Sequence, residues 1–305
     1  QKTAYEIPLR LVGSEMCIRD RPYRDTGDGV RKKHLDTLIP HLEKFLGERD
    51  IEFRCYIGHQ VDDKKFQREI EDIGFTVHQN IFDKQAISEL DEYAQTLKPD
   101  RGHDKNKKWY GWNKVSQMKD PENEVDWAYY WTPEPKHSII STVYQTLSPL
   151  CDAAFGFGQW SWYATDFIVL QPGMNFYRPH IDTPYRFKEF RYSKELLGLQ
   201  FMVMMCDFNE DNGATGYVPG SDKYIYDPDQ IREESAWETF YADNYQQYTA
   251  ESGSFVCWHP RLIHSTMPNK SNTVRRALLL HATTHDTKRK LDTIDPQFNI
   301  SLRTS

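Results

Sequence analysis

Cysteine is scarce in this 305-residue chain: there are five, Cys17, Cys55, Cys151, Cys206 and Cys257, and no C-x-x-C pair among them. An odd, dispersed set argues against a disulfide framework and reads as reduced thiols in a cytoplasmic compartment. Long apolar runs are also missing. The longest mainly apolar stretch, around "LLGLQFMVMMCDF", is too short to cross a bilayer. No basic segment followed by an apolar core marks the first residues as a secretory signal. Lys and Arg are scattered, and the formal net charge is −7, which argues against nucleic acid or an anionic membrane as the main partner. Neither a Ser-His-Asp arrangement nor a phosphate-cradling glycine loop is present. What is present is enough chain to bury a sizeable core.

Residues 1–21 show no clear period and read as a non-native or disordered terminus. From Pro22 the pattern is regular. Leu35, Leu38, Ile39, Leu42, Phe45 and Leu46 recur at helical spacing, with Pro40 as a kink and Gly47 as a stop. "IEFRCYI" alternates like a strand, and "KKFQREIEDIGF" returns to a helical period, so 22–73 is a short α/β segment. A strand in "GFTVH" then leads to a helix with Asp83 at its N-cap and Ile87, Leu90, Ala94 and Leu97 on one face. Residues 100–136 are polar and Trp-rich, a long loop in this reading, and "KHSIISTVYQTLSPLCDA" is another helix. Four strand-like runs follow: "SWYATDFIVLQ", "LGLQFMVMMCDF", "SGSFVCWH" and "VRRALLLHATT". Gly, Pro and Asn punctuate them, which predicts a mainly β sandwich or jelly roll with flanking helices over 74–290 and a tail over 291–305.

Three H-x-[DE] triplets occur, at His34–Asp36, His41–Glu43 and His180–Asp182. Composition alone would produce about half as many, so spacing by itself is too weak to identify a site. Local structure separates them. On a helix, i and i+2 point about 200° apart, so the first two triplets cannot grip one ion. On a strand they share a face, and Pro179 disfavours a helical Arg178, leaving His180 and Asp182 as the pair able to chelate. A two-His, one-carboxylate triad needs a second imidazole. His264 fits best: it ends an extended run, and a Pro-Asn-Lys-Ser-Asn turn leads from it into the strand carrying Arg275. A 2-oxo diacid in the open positions would need a planar bidentate partner for its far carboxylate, which Arg275 could supply. Arg276 would face the other side of that strand. Asn212 and Gly213 read as turn-formers near the site, and Trp160, Trp162 and Tyr163 as core. The Trp-rich 109–131 region and the Tyr-rich 224–248 region divide evenly between substrate lid and ordinary surface packing.

"HID", "DNGATGYVPGSDK" and "WHPRLIHSTMPNKSNTVRRAL", in that order, resemble the phytanoyl-CoA dioxygenase-like Fe(II)/2-oxoglutarate oxygenases over roughly 74–285. The resemblance implies a double-stranded β-helix (a cupin-like jelly roll) using Fe(II), 2-oxoglutarate and O2 to hydroxylate a small-molecule substrate. It implies His180, Asp182 and His264 as iron ligands and Arg275, eleven residues after His264, as the partner of the 2-oxoglutarate C5 carboxylate. His259 does not keep the family's spacing to Arg275. Related halogenases carry a small residue where Asp182 stands, so the resemblance implies hydroxylation. The alternative is a catalytically silent cupin-like module that only binds metal.

Two further resemblances concern the N-terminal part. "PYRD", "HLDTLIPHLEKFL", Gln60 and "FQR" are similar to the start of the β-1,4-galactosyltransferase family, implying sugar-nucleotide contacts by Arg24 and Arg68. Gln67 replaces that family's Asn, "YGWN" at 110–113 lacks its acidic pair, and Asp227-Pro228-Asp229 lies far downstream of any metal-bearing strand, so 22–73 reads as a truncated fragment. "VGSEMCIRDR" resembles translated sequencing-adapter read-through.

Overall fold

The computed structural model describes residues 63–97, 127–131, 137–173, 179–225 and 235–294. These all belong to one compact unit, Gly58–Ser305. The helix expected over 34–46, the strand over 51–57, Arg24 and Asp227–Asp229 lie outside the described residues, as do Cys17 and Cys55.

The first described element, α1 (Asp63–Ile73), turns its Phe66 and Ile70 into the main core, where they are buried with Leu90, Leu147 and Phe201. The helix read as the end of a glycosyltransferase-like segment therefore packs on the same core as the β-rich region. Its Arg68 is exposed. After β1 (Phe75–His78), Asp83 caps α2 (Lys84–Thr96) by accepting the Ala86 N–H at 2.8 Å, and Ala86, Leu90, Tyr93 and Ala94 form the buried face. α3 (Ser138–Phe155) buries Ile139, Ile140, Val143, Leu147, Leu150 and Cys151, and tolerates Pro149 in its interior.

The four strands expected from the sequence are β3 (Trp160–Leu170), β4 (Gly198–Met204), β7 (Phe255–Trp258) and β9 (Arg275–Thr284). Together with β1 and β2 (Trp127–Trp131) they make an antiparallel six-stranded sheet in the order β1-β7-β4-β9-β3-β2. β2 corrects the long-loop reading of 100–136: "WAYYW" pairs along β3, with Trp127 opposite Leu170 and Trp131 opposite Asp166. Aromatic residues favour a pleated surface, and here that preference outweighs the polar surroundings. A second sheet, β6-β5-β8, is built from β5 (Gly216–Tyr217), β6 (Gln246–Gln247) and β8 (His264–Ser265). Each is only two residues long, too short to show a period in sequence.

Alternation along the strands divides the core into two layers. Leu199, Phe201 and Val203 with Leu278, Leu280 and Ala282 face α1, α2 and α3. Met202, Met204, Ala277 and Leu279 face inward, against Tyr217 of β5 and Tyr248. Full burial of each such side chain contributes roughly 1.5–3 kcal/mol. The result is the mainly β jelly roll with flanking helices expected from the pattern.

Two helices absent from the sequence reading complete the described residues. α4 (Ser235–Asn244) lies within the Tyr-rich 224–248 region and plants Tyr241, fully buried, beneath β8. α5 (His285–Ile294) extends directly from β9 past the boundary expected at 290, with Leu291 buried. No helix among the described residues is long and apolar enough to cross a membrane, and Cys151, Cys206 and Cys257 are free thiols.

Candidate metal centre

His180 enters the site through backbone pairing. Its N–H donates to the His264 carbonyl at 3.0 Å, and the His264 N–H donates back at 3.1 Å, forming a β-bridge between the two residues. Tyr217 of β5 pairs with His264 on its other side, so the short sheet fixes where His264 stands. Asp182 is anchored by its own N–H, which donates to Pro260 O at 2.7 Å. His180, Asp182 and His264 each offer one ligand atom, and those atoms lie within 4.8 Å of one another. The spacing that singled out "HID" thus becomes geometry: an extended i, i+2 pair on one face, closed by an imidazole from the neighbouring strand.

The surrounding groups set the chemistry of this triad. His264 Nδ1 lies 2.9 Å from Leu262 O. A carbonyl can only accept, so Nδ1 carries a proton, and Nε2 points inward, 3.3 Å from Asp182 Oδ2. Trp258 Nε1 donates to the same carboxylate oxygen at 3.3 Å. Burial pushes the Asp182 carboxyl up, yet the imidazoles of His264, His180 and His281, with the Trp258 hydrogen bond, outweigh it. They hold the group below the usual carboxylate range. Two imidazoles and one carboxylate make a donor set suited to a divalent transition metal.

Arg275 is fully buried at the start of β9. Its guanidinium donates to Gly213 O, lies 3.5 Å from Thr215 Oγ1 and sits over the Phe208 ring at 4.6 Å. Gly213 has φ +81°, and a Cβ there would stand 2.6 Å from Met267 O. Asn212 fixes the same turn, its amide donating to Asp207 O and accepting the Asn209 N–H, which is the turn-shaping role expected of it. Gly213→Ala should therefore destabilise the fold by at least about 2 kcal/mol, from left-handed backbone strain plus the clash. In a domain of this size, a thermal melt should show a midpoint roughly 4–8 °C lower.

Other residues singled out in the sequence fall away from the triad. Arg276 faces outward and pairs with Asp91 at 3.8 Å. Trp160 and Trp162 pack on the helical layer, and Tyr163 is buried inside the roll beside His281, their rings 5.5 Å apart, so all three are core as expected. His259 stacks on Tyr185 at 5.1 Å and accepts the Arg261 N–H at Nδ1, outside the triad. Burial, then the charges of Arg261 and Lys223, hold its pKa down to about 3. The native His259 is thus neutral, while the unfolded imidazole takes a proton near its ordinary value of 6.5. Between those values the unfolded state binds more protons, so stability falls as pH drops below about 6.5. The loss attributable to His259 at pH 5 should be about 1–2 kcal/mol. Urea unfolding at pH 7.5 and 5.0 checks this, because His259→Gln, which keeps an acceptor for Arg261, should shrink the difference.

A family model described as phytanoyl-CoA dioxygenase (PhyH) matches residues 70–277, well over half of the chain. The chain belongs to the phytanoyl-CoA dioxygenase family. A curated relative, dioxygenase cdmD of Talaromyces verruculosus, is 29% identical over 137 residues, 43% of this chain. That match spans 42% of the length of cdmD. Among solved structures, the alpha-ketoglutarate-dependent epimerase SnoN of nogalamycin biosynthesis superposes with a TM-score of 0.55 at 14% identity, covering 73% of this chain and 83% of SnoN. HygX from Streptomyces hygroscopicus, whose structure holds nickel, 2-oxoglutarate and hygromycin B, superposes with a TM-score of 0.54 at 13% identity, over 74% of this chain and 88% of HygX. These likenesses establish a shared jelly-roll fold. Within the phytanoyl-CoA dioxygenase family the present triad sits where β8 meets the "HID" segment, with Trp258 as a supporting residue that sequence reading missed. Its signal was the Trp beside His in "CWHP", which spacing alone does not tie to Asp182.

Proposed function

We propose that this chain is an Fe(II)- and 2-oxoglutarate-dependent dioxygenase that hydroxylates a small molecule. In this reading His180, Asp182 and His264 are the three protein ligands of the iron, and Arg275 receives the far carboxylate of 2-oxoglutarate. The observation that carries it is the convergence of two imidazoles and one ionised carboxylate within 4.8 Å. Membership of the family and the fully buried guanidinium of Arg275 support it.

When bound, ferrous iron with 2-oxoglutarate and O2 supplies the oxidation: one oxygen atom goes into succinate as CO2 leaves, the other into the substrate C–H bond. The chain's own residues hold and orient. Leu262 O keeps the His264 proton on Nδ1, so that Nε2 remains the donor. Trp258 steadies Asp182. Gly213 O and Thr215 fix the direction of Arg275, so a planar carboxylate meets a preset fork. Leu279, Met202 and Ile168 line the inner layer and limit water around the centre. Asp182 occupies the position that a halide would need, which favours hydroxylation. The small-molecule substrate and a cytoplasmic location belong to the same reading. Protein stripped by a chelator should form succinate from 2-oxoglutarate only after Fe(II) is restored; metal binding without turnover over a broad substrate panel would favour a silent cupin-like module.

A further inference from the structure

One row of directly paired residues crosses the inner face of the main sheet beside the triad. Trp258 of β7 stands opposite Gln200 of β4, and Gln200 opposite His281 of β9. His281 stands opposite Ala164 of β3 at a register shift that leaves Tyr163 as the extra residue. A bulge of this kind re-aims a side chain, and here Tyr163 reaches the His281 ring inside the roll. The row begins at the metal triad, since Trp258 holds Asp182 and Gln200 Nε2 donates to Thr183 O at 3.1 Å. It lies six residues along β9 from Arg275, three inward-facing positions toward the opposite end of the strand.

The polarity of this row is unexplained by folding. Gln200 is 1% exposed and Tyr163 3% exposed; the Gln200 amide N–H groups face Thr183 O and the phenol oxygen, which leaves Gln200 Oε1 without a donor and the Tyr163 O–H without an acceptor among the described residues. Leaving a buried polar atom unsatisfied destabilises the fold. Leucine and phenylalanine would avoid that cost at nearly the same volume. Burial pushes the Tyr163 hydroxyl up, and the nearby Asp182 charge adds to this, while the Gln200 amide and Arg186 oppose it; the phenol therefore stays a donor. A donor and an acceptor, both buried and both facing the interior, are complementary to a hydroxyl or amide group, which carries one of each.

We propose that Gln200 and Tyr163, backed by His281, form a recognition rail for a hydroxyl- or amide-bearing substrate, so that the molecule oxidised is polar next to the reacting carbon and not an aliphatic chain. This rests on the oxygenase reading only for its chemistry, because the rail is a binding site in its own right. A fatty chain would leave both polar atoms unmatched, and a site built for hydrogen bonds rejects partners that lack them far more sharply than an apolar pocket rejects extra polarity.

The test uses the full chain loaded with Ni(II) and 2-oxoglutarate. Calorimetry would measure binding of a panel of cyclic polyols and amino sugars against straight-chain fatty acids of equal carbon number. Polyols or amino sugars should bind and the fatty acids should not. Gln200→Leu and Tyr163→Phe should each weaken that binding roughly tenfold, one hydrogen bond's worth. Tyr163→Phe should leave the unfolding temperature unchanged or raised, which separates recognition from a structural role and keeps the test alive if Gln200→Leu folds poorly. Preference for the fatty acids, no binding of any polar probe, or affinity within twofold of wild type in Tyr163→Phe overturns the rail. If the Fe(II)-loaded wild type forms no succinate but the polar probes still bind and the variants still lose them, the oxygenase reading falls and the rail stands.

Discussion

Alanine at His264 is expected to reduce 2-oxoglutarate-dependent succinate formation by more than about a hundredfold, beyond the 10–100-fold typical of losing an outer-shell partner. The size of the effect follows from what His264 does. It closes the triad from a different strand, its Nε2 lies 3.3 Å from Asp182, and its imidazole is the largest favourable influence holding that carboxyl ionised. Its removal takes away one of three donors and loosens a second. His180→Ala should behave alike. Trp258→Phe should fall in the outer-shell range, since it removes a single hydrogen bond to Asp182 while keeping an aromatic ring in the inner layer. Initial rates at saturating Fe(II), alongside Ni(II) titration calorimetry, check the order. Equal rates in Trp258→Phe and His264→Ala would remove His264 from the ligand set.

Arg275→Gln is expected to raise the KM for 2-oxoglutarate by roughly 30-fold or more, the lower end of what truncating a buried charge partner costs. Glutamine keeps hydrogen-bonding capacity but loses the charge and the fork. Arg275→Lys should recover only part of the affinity, because a point charge cannot match a planar carboxylate bidentately. Both variants leave the three candidate ligands in place, so Ni(II) affinity should change little. A KM unchanged in Arg275→Gln would mean that the cosubstrate carboxylate is held elsewhere. Folding is checked separately, since the guanidinium also ties down Gly213 O and rests on Phe208.

Much of this was legible in the residues, for identifiable reasons. The "HID" pair could be separated from its two helical rivals because side-chain direction depends on backbone period alone. Asp83 announced α2 because an N-cap acceptor is a local device. β3, β4, β7 and β9 were visible because each is long and apolar enough to outweigh its surroundings. The minor sheet was invisible, since Gly216–Tyr217, Gln246–Gln247 and His264–Ser265 are too short for alternation. It is nevertheless what positions His264. Tyr163 was read as core alongside Trp160 and Trp162, and the register shift between Trp162 and Ala164 is a property of pairing with β9 that no single strand encodes. The membership of α1 in the core was hidden by its likeness to another family's segment, and only the burial of Phe66 and Ile70 reveals it.

The central claim is that the triad and Arg275 split O2 between cosubstrate and substrate. Turnover of 2-oxoglutarate under heavy-oxygen-labelled O2, with the succinate examined by mass spectrometry, tests it most directly. The account predicts succinate carrying one labelled oxygen, formed only with Fe(II) and lost in His264→Ala. Unlabelled succinate, or none from the Fe(II)-loaded wild type, would contradict it.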